Sequence, residues 1–254
     1  MKTDISVHHK ESSFDSSFWQ AFSRSVEIDW DINLLKRFEH NLNWEILSEN
    51  NSLPWGEELI NSFAKRWNWG SVSERISGFS SWGIDEHSAI RIMHNFKNNL
   101  DWTTITSGHS INQIIVNTFP TCINWDVLSS NFFFPWSVDF LMWYKHQINW
   151  TKFSQILHPE IIGLKDYEFI DFLMTFQEHI DWAVLSSNTY ITFDDILICT
   201  FQDMWDWNLL YYNASIRNRE RIVAHYCERK DILNHSIRHK LEQSKEILKI
   251  IDML

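Results

Sequence analysis

Glycine and proline are scarce in this 254-residue sequence, with six and four in all. Nucleotide-binding α/β folds need a glycine-rich phosphate loop and hairpin-rich β folds need tight turns, so both classes are excluded on composition. Cysteine is scarce as well: Cys122, Cys199 and Cys227 are odd in number and lack CxxC spacing. That argues against a disulfide framework or a cysteine zinc site and points to a reducing cytoplasm. No stretch approaches the roughly 18 apolar residues of a membrane span, and the opening MKTDISVHHKESS has no signal-peptide core. GxGxxG, GxxxxGK, HExxH and GxSxG are all missing. The expectation is a soluble cytoplasmic protein that is not an enzyme, with no catalytic residue, metal or cofactor.

Aromatic bulk is what the sequence has in quantity: 15 Trp, 18 Phe and 6 Tyr. An Asp/Asn-Trp dipeptide recurs at Asp29-Trp30, Asn43-Trp44, Asn68-Trp69, Asp101-Trp102, Asn124-Trp125, Asn149-Trp150, Asp181-Trp182 and Asp206-Trp207. Six residues before the last seven anchors stand Phe38, Phe63, Phe96, Phe119, Tyr144, Phe176 and Phe201, and two before them stand Leu42, Trp67, Leu100, Ile123, Ile148, Ile180 and Trp205. Together with apolar pairs nine and ten residues back, such as Ile115-Val116, this spacing predicts one face of a helix of about three turns ending at each anchor. The Asp or Asn predicts an N-cap for a second, short helix, with the tryptophan as a buried core anchor. Asn50, Asn131 and Asn188 fall where that short helix ends, where a left-handed residue is expected. Helices restart at Gly56, Ser137 and Asp194.

The predicted fold is all-α: an irregular α-solenoid, one cooperative domain with atypical ends. Residues 1–29 form a tail and a degenerate unit in which Phe18, Trp19, Phe22 and Val26 share a face; residues 30–212 are the repeats; residues 213–254 are a basic helical cap. Charge divides the same way. The closing segment holds nine Lys/Arg and six Asp/Glu, a net +3, which leaves −14 on the body out of a total of −11.

The pattern Asp/Asn-Trp-x-x-Leu/Val-Ser-x-Asn, as in NWDVLSSN and DWAVLSSN, resembles Trp-rich helical-repeat proteins of Bacteroidetes-type bacteria and their phages over residues 30–212. That resemblance implies architecture and carries no catalytic residues. Repeat type and acidic charge also look like a phage-derived inhibitor of bacterial defence, an anti-CRISPR acting on a type VI-B RNA-guided nuclease. The resemblance implies a protein partner of that kind.

Candidate binding residues are those that break the repeat. Phe132 and Phe133 stand where sister units have Asn51-Ser52 and Thr189-Tyr190, and Trp143 stands where they have Ser62 and Thr200. Phe132, Phe133, Trp143 and Tyr190 thus mark a patch for a protein partner. Glu57, Glu58, Asp139, Asp194 and Asp195, at helix starts, would form an acidic edge able to occupy a basic groove if units stack in register; the alternative is ordinary helix-dipole partners. A second reading is RNA or DNA binding through Arg217, Arg219, Arg221, Arg229 and Lys230, against which the −14 body acts. His235 and His239 are spaced i, i+4 without an accompanying glutamate, and are read as exposed histidines. Cys199 is read as near-core and Cys122 as a small thiol beside an anchor.

Overall fold

In the computed structural model, residues 14–216 are described. All regular structure among them is helical, fifteen short α-helices and two 3-10 turns with no strand, so the all-α class is as expected. The described residues belong to two compact units that divide between Asn124 and Trp125. Each unit is built from the same repeat.

Seven anchors open a helix as its first residue: Trp44, Trp69, Trp102, Trp125, Trp150, Trp182 and Trp207. The preceding Asn43, Asn68, Asp101, Asn149, Asp181 and Asp206 accept from first-turn backbone N–H groups, which meets donors that a helix start leaves unpaired. Asp29-Trp30 departs from this. Helix Ile32–Arg37 begins two residues later with Asp31 as its cap, and Trp19 in helix Ser16–Arg24 takes the anchor's part in the first unit. Val26 lies past that helix and is exposed, not on its apolar face.

Most helices between anchors are shorter than the spacing predicts; Glu86–Asn95 and Asp166–Phe176, with 10 and 11 residues, reach the expected length. Between anchors run segments such as Glu57–Ser62, Gln113–Thr118 and Asp195–Thr200, capped by Gly56, Asn112 and Asp194. Each stops before the aromatic that stands six residues ahead of the next anchor: Phe63, Phe119 and Phe201 are C-cap residues with non-helical backbone. A tight turn then leads to the anchor, with backbone bonds such as Asn41 N–H to Phe38 O and Leu100 N–H to Phe96 O. What looks like one helical face is a helix, a cap and a turn that bury their apolar residues on the same side.

The aromatic spacing has a packing origin. Each anchor ring meets the aromatic six residues before the next anchor: Trp44 on Phe63, Trp69 on Phe96, Trp102 on Phe119, Trp125 on Tyr144, Trp150 on Phe176 and Trp182 on Phe201, with Trp19 on Phe38 at the start. Centroid separations are 4.7–5.3 Å, inside the range for favourable aromatic pairs. Most anchors are half-buried, not the fully buried pegs expected. Their indole N–H donates to the carbonyl five residues back, as in Trp44 to Glu39 at 2.8 Å and Trp182 to Gln177 at 2.9 Å. The deepest positions lie three residues after the anchor, where Leu47, Val72, Ile105, Leu128, Phe153, Leu185 and Leu210 are fully buried.

Within the first unit, Ser16–Arg24 packs on Trp44–Ser48, Trp69–Ser77 on Trp102–Ser107, and Glu57–Ser62 on Glu86–Asn95. In the second, Trp150–Ile156 packs on Trp182–Ser187, which packs in turn on Trp207–Tyr212. In four of these pairs an anchor helix lies beside the next one.

A buried hydroxyl four residues after Trp19 and after each anchor from Trp44 to Trp182 joins neighbouring repeats. Ser23, Ser48, Ser73, Thr106, Ser129, Ser154 and Ser186 have no solvent exposure. They accept the backbone N–H of the following cap residue: Asn43, Asn68, Asp101, Asn124, Asn149, Asp181 and Asp206 respectively, at 2.8–3.2 Å. All but Ser154 also donate to the carbonyl of the tryptophan four residues back, at 2.6–2.7 Å. A cap residue spends its side chain on its own helix, and its N–H would be an unpaired buried donor without this hydroxyl.

Candidate functional site

The loops that follow the helices opened by Trp44, Trp125, Trp182 and Trp207 are held by an asparagine six residues past the tryptophan. Asn50, Asn131, Asn188 and Asn213 are buried. Their side-chain oxygens turn the loop by accepting from the residue two ahead, as Asn131 does from Phe133 and Asn188 from Tyr190. The Asn50, Asn188 and Asn213 amides donate to the carbonyl of the hydroxyl residue in the previous repeat, Ser23, Ser154 and Ser186, at 2.9–3.0 Å. Asn188 and Asn213 are extended, with φ −68° and −66°, so asparagine is used here for side-chain reach and not for the left-handed backbone expected.

In the second unit this scaffold presents aromatic rings to solvent. Phe132 is 47% exposed, Phe133 69% and Tyr190 56%. Phe132 and Tyr190 meet edge-on at 5.5 Å, and Tyr190 stacks on His158 at 5.6 Å. Two repeats thus contribute to one ridge. Trp143, 83% exposed, stands on helix Val138–Tyr144 and not on these loops. Of the fourteen large apolar side chains exposed among the described residues, eleven belong to the second unit.

The expected carboxylates divide between the units. Glu57 and Glu58 open helix Glu57–Ser62 in the first; Asp139, Asp194 and Asp195 stand at the starts of Val138–Tyr144 and Asp195–Thr200 in the second. Glu57 is paired with Arg91 at 2.6 Å, and that hydrogen bond holds its carboxyl below the usual range. Asp194 caps its helix by accepting from Leu197 N–H at 2.7 Å. Glu58, Asp139 and Asp195 are exposed.

Two repeats are longer than the rest, from Trp69 to Trp102 and from Trp150 to Trp182. Each carries a 3-10 turn, Phe79–Trp82 or Pro159–Ile162, closed by a left-handed glycine, Gly83 or Gly163, both at φ 71°. Both insertions border a cleft. That in the second unit is about 50 Å³ and is lined by Pro159, Phe169, Ile191 and Asp194 among others. That in the first unit is about 160 Å³ and is lined by Glu49, Asn51, Ser71, Glu74, Arg75 and Trp82. Next to it, Ser81 and His109 meet at 3.0 Å, tying the following loop to the insertion.

Arg75 was not among the residues singled out from the sequence. It occupies the position of the loop asparagine, six after Trp69, and its Nη2 reaches the same carbonyl, that of Ser48, at 3.2 Å. The guanidinium lies between the Trp55 and Trp82 rings, 4.3 and 4.4 Å from their centroids, and burial pushes its pKa down to about 10. The sequence signals were the long spacing and an arginine in an asparagine slot.

Cys199 is exposed, in place of the near-core position expected, while Cys122 is half-buried. Arg217, Arg219, Arg221, Arg229 and Lys230, with His235 and His239, lie outside the described residues. Among the described residues no helix is long and apolar enough to cross a membrane, and no three His, Cys, Asp or Glu side chains group as metal ligands. No family model matches the sequence, no curated protein matches it and no solved structure matches it.

Proposed function

We infer that this chain is a non-enzymatic protein-binding repeat protein, an acidic inhibitor of a nucleic-acid-handling effector of the anti-CRISPR or other anti-defence type. The observation that carries the binding reading is the exposed ridge of Phe132, Phe133 and Tyr190, built on loops whose sister positions in the first unit are Asn51 and Ser52. Aromatic rings fixed on a rigid loop lose little entropy on association, which suits them as interface anchors. The body charge of −14 supports a basic partner surface, of the kind that proteins handling nucleic acid present.

The test pairs capture with stability. Tagged protein is used to capture partners from the native host, with mass spectrometry of what is retained, for the wild type and for Phe132→Asn with Phe133→Ser. The reading expects an unchanged melting temperature and loss of the captured partner. Capture intact with a large drop in melting temperature would make these rings core residues. Charge reversal at Glu58, Asp139 and Asp195, which leaves the Glu57 ion pair and the Asp194 cap in place, should slow association and reduce its salt dependence.

A further inference from the structure

Arg75 presents a buried cation with an unmet hydrogen bond. It is 5% exposed, its Nη2 is engaged by Ser48 O and by Asn51 Oδ1 at 3.1 Å, and its Nε–H has no partner. Neither of those acceptors is charged. An unsatisfied buried donor on a charged group is costly, and the indole faces on either side cannot accept in the guanidinium plane. The same side chain lines the cleft of about 160 Å³ between the loop after Trp44–Ser48 and the inserted turn that carries Trp82. The Nε–H has almost no surface open to solvent, so an acceptor that enters the cleft must shift its lining to meet Arg75.

The remaining lining settles which chemistry fits. Glu49 and Glu74 are exposed carboxylates that line the same cleft, together with Asn51 and Ser71. A carboxylate or phosphate brought to Arg75 would face two like charges. A neutral carbonyl meets no such penalty, and a positive group next to it gains from both glutamates. A peptide supplies that combination: a backbone carbonyl beside a lysine or arginine side chain.

We propose that the Arg75 cleft of the first unit is a docking site for a basic peptide segment, whose main-chain carbonyl accepts the Arg75 Nε–H and whose cationic side chain lies against Glu49 and Glu74. Trp82, half-buried on the inserted turn, forms the wall of the site. This inference stands apart from the aromatic ridge, which belongs to the other unit and uses no charged group.

The probe is the blocked tripeptide acetyl-Gly-Lys-Gly-amide, titrated to about 10 mM into the full-length protein. Binding is read from the Arg75 Nε–Hε and Trp82 indole N–H resonances, the latter assigned by its absence in Trp82→Phe. The expected result is a saturable shift of both, and affinity roughly tenfold weaker in Glu49→Gln with Glu74→Gln, two surface changes that leave the fold intact. The norleucine analogue should bind the wild-type protein about as weakly as the lysine peptide binds that double variant, and the glutamate analogue and inorganic phosphate should leave both resonances unmoved. No saturable shift with the lysine peptide would overturn the proposal and leave a solvent-filled cleft. Equal response to phosphate or to the glutamate peptide would overturn it in favour of an anion site.

Discussion

The Ser129 hydroxyl accepts the backbone N–H of Asn149 at 2.8 Å while donating to the carbonyl of Trp125 at 2.6 Å, so one buried side chain closes its own helix and caps the approach to the next. Ser129→Ala leaves that partly buried N–H without its partner. The expected cost is about 1–3 kcal/mol. Ser130→Ala is the matched control: Ser130 is exposed and donates only to Val127 O, so its loss should change stability by about 0.5 kcal/mol or less. Urea denaturation of the two variants measures the difference. Equal midpoints would remove the structural role assigned to the hydroxyl.

Asn188 donates to Ser154 O and Leu157 O at 2.9 Å each and is buried. Asn188→Asp puts a carboxylate against two carbonyl oxygens, and its pKa must rise. A raised folded pKa makes the protein more stable as pH falls, so this variant should be weakest at neutral pH and recover in mild acid. Thermal melts from neutral pH down to about pH 5 read that trend. A loss of stability independent of pH would show that the carbonyls do not face the introduced charge.

Gly163 closes the second 3-10 turn at φ 71°, and a Cβ built there meets nothing within 4 Å. Its substitution costs backbone strain alone. Gly163→Ala should destabilise by about 1–2 kcal/mol, with Gly163→Asn recovering part of that because asparagine tolerates this region. A chemical-denaturation series with alanine equal to glycine would contradict the left-handed assignment.

Asp101 caps helix Trp102–Ser107, and hydrogen bonds from the Thr104 hydroxyl, then from the Thr104 and Thr103 amides, hold its pKa below the usual carboxylate value. A lowered folded pKa gives stability that is present above the unfolded value, near 3.8, and is lost as pH falls through the folded one. Asp101→Asn keeps a capping oxygen, as Asn43 and Asn68 do at other anchors, and removes the titration. The variant should match wild type at neutral pH and lose less stability in acid. An identical acid limb for both proteins would contradict the cap's contribution.

Much of the repeat was legible because the anchor dipeptide is short and local: the Asn43 and Asp181 caps act on the helices they precede, so the sequence neighbours are the structural partners. Helix length was misread for a physical reason. Apolar residues ten, nine, six and two before an anchor have the helical period, yet Phe63 is a cap and Trp67 lies in a turn; burial on one side does not require continuous helix. Half-burial of the anchors was hidden because the ring packed on Trp69 is Phe96, a repeat away. Ser48 and Ser129 look like ordinary polar residues in sequence, since the N–H each accepts comes from a residue twenty positions later. At the candidate site the exposure of Phe132 and Tyr190 was legible from comparison of sister loops. Arg75 was not, since only the folded chain shows its guanidinium reaching the carbonyl that asparagine reaches elsewhere.

The central claim is that buried hydroxyls join successive repeats through the backbone N–H of each cap residue, and amide hydrogen exchange tests it most directly. The amides of Asn43, Asn68, Asp101, Asn149, Asp181 and Asp206 should be among the slowest in the described chain, opening only with the unit that contains them. The Ser88 amide, bonded to the exposed carboxylate of Asp85, serves as the fast reference. Exchange of the six cap amides at the rate of Ser88 would contradict the claim.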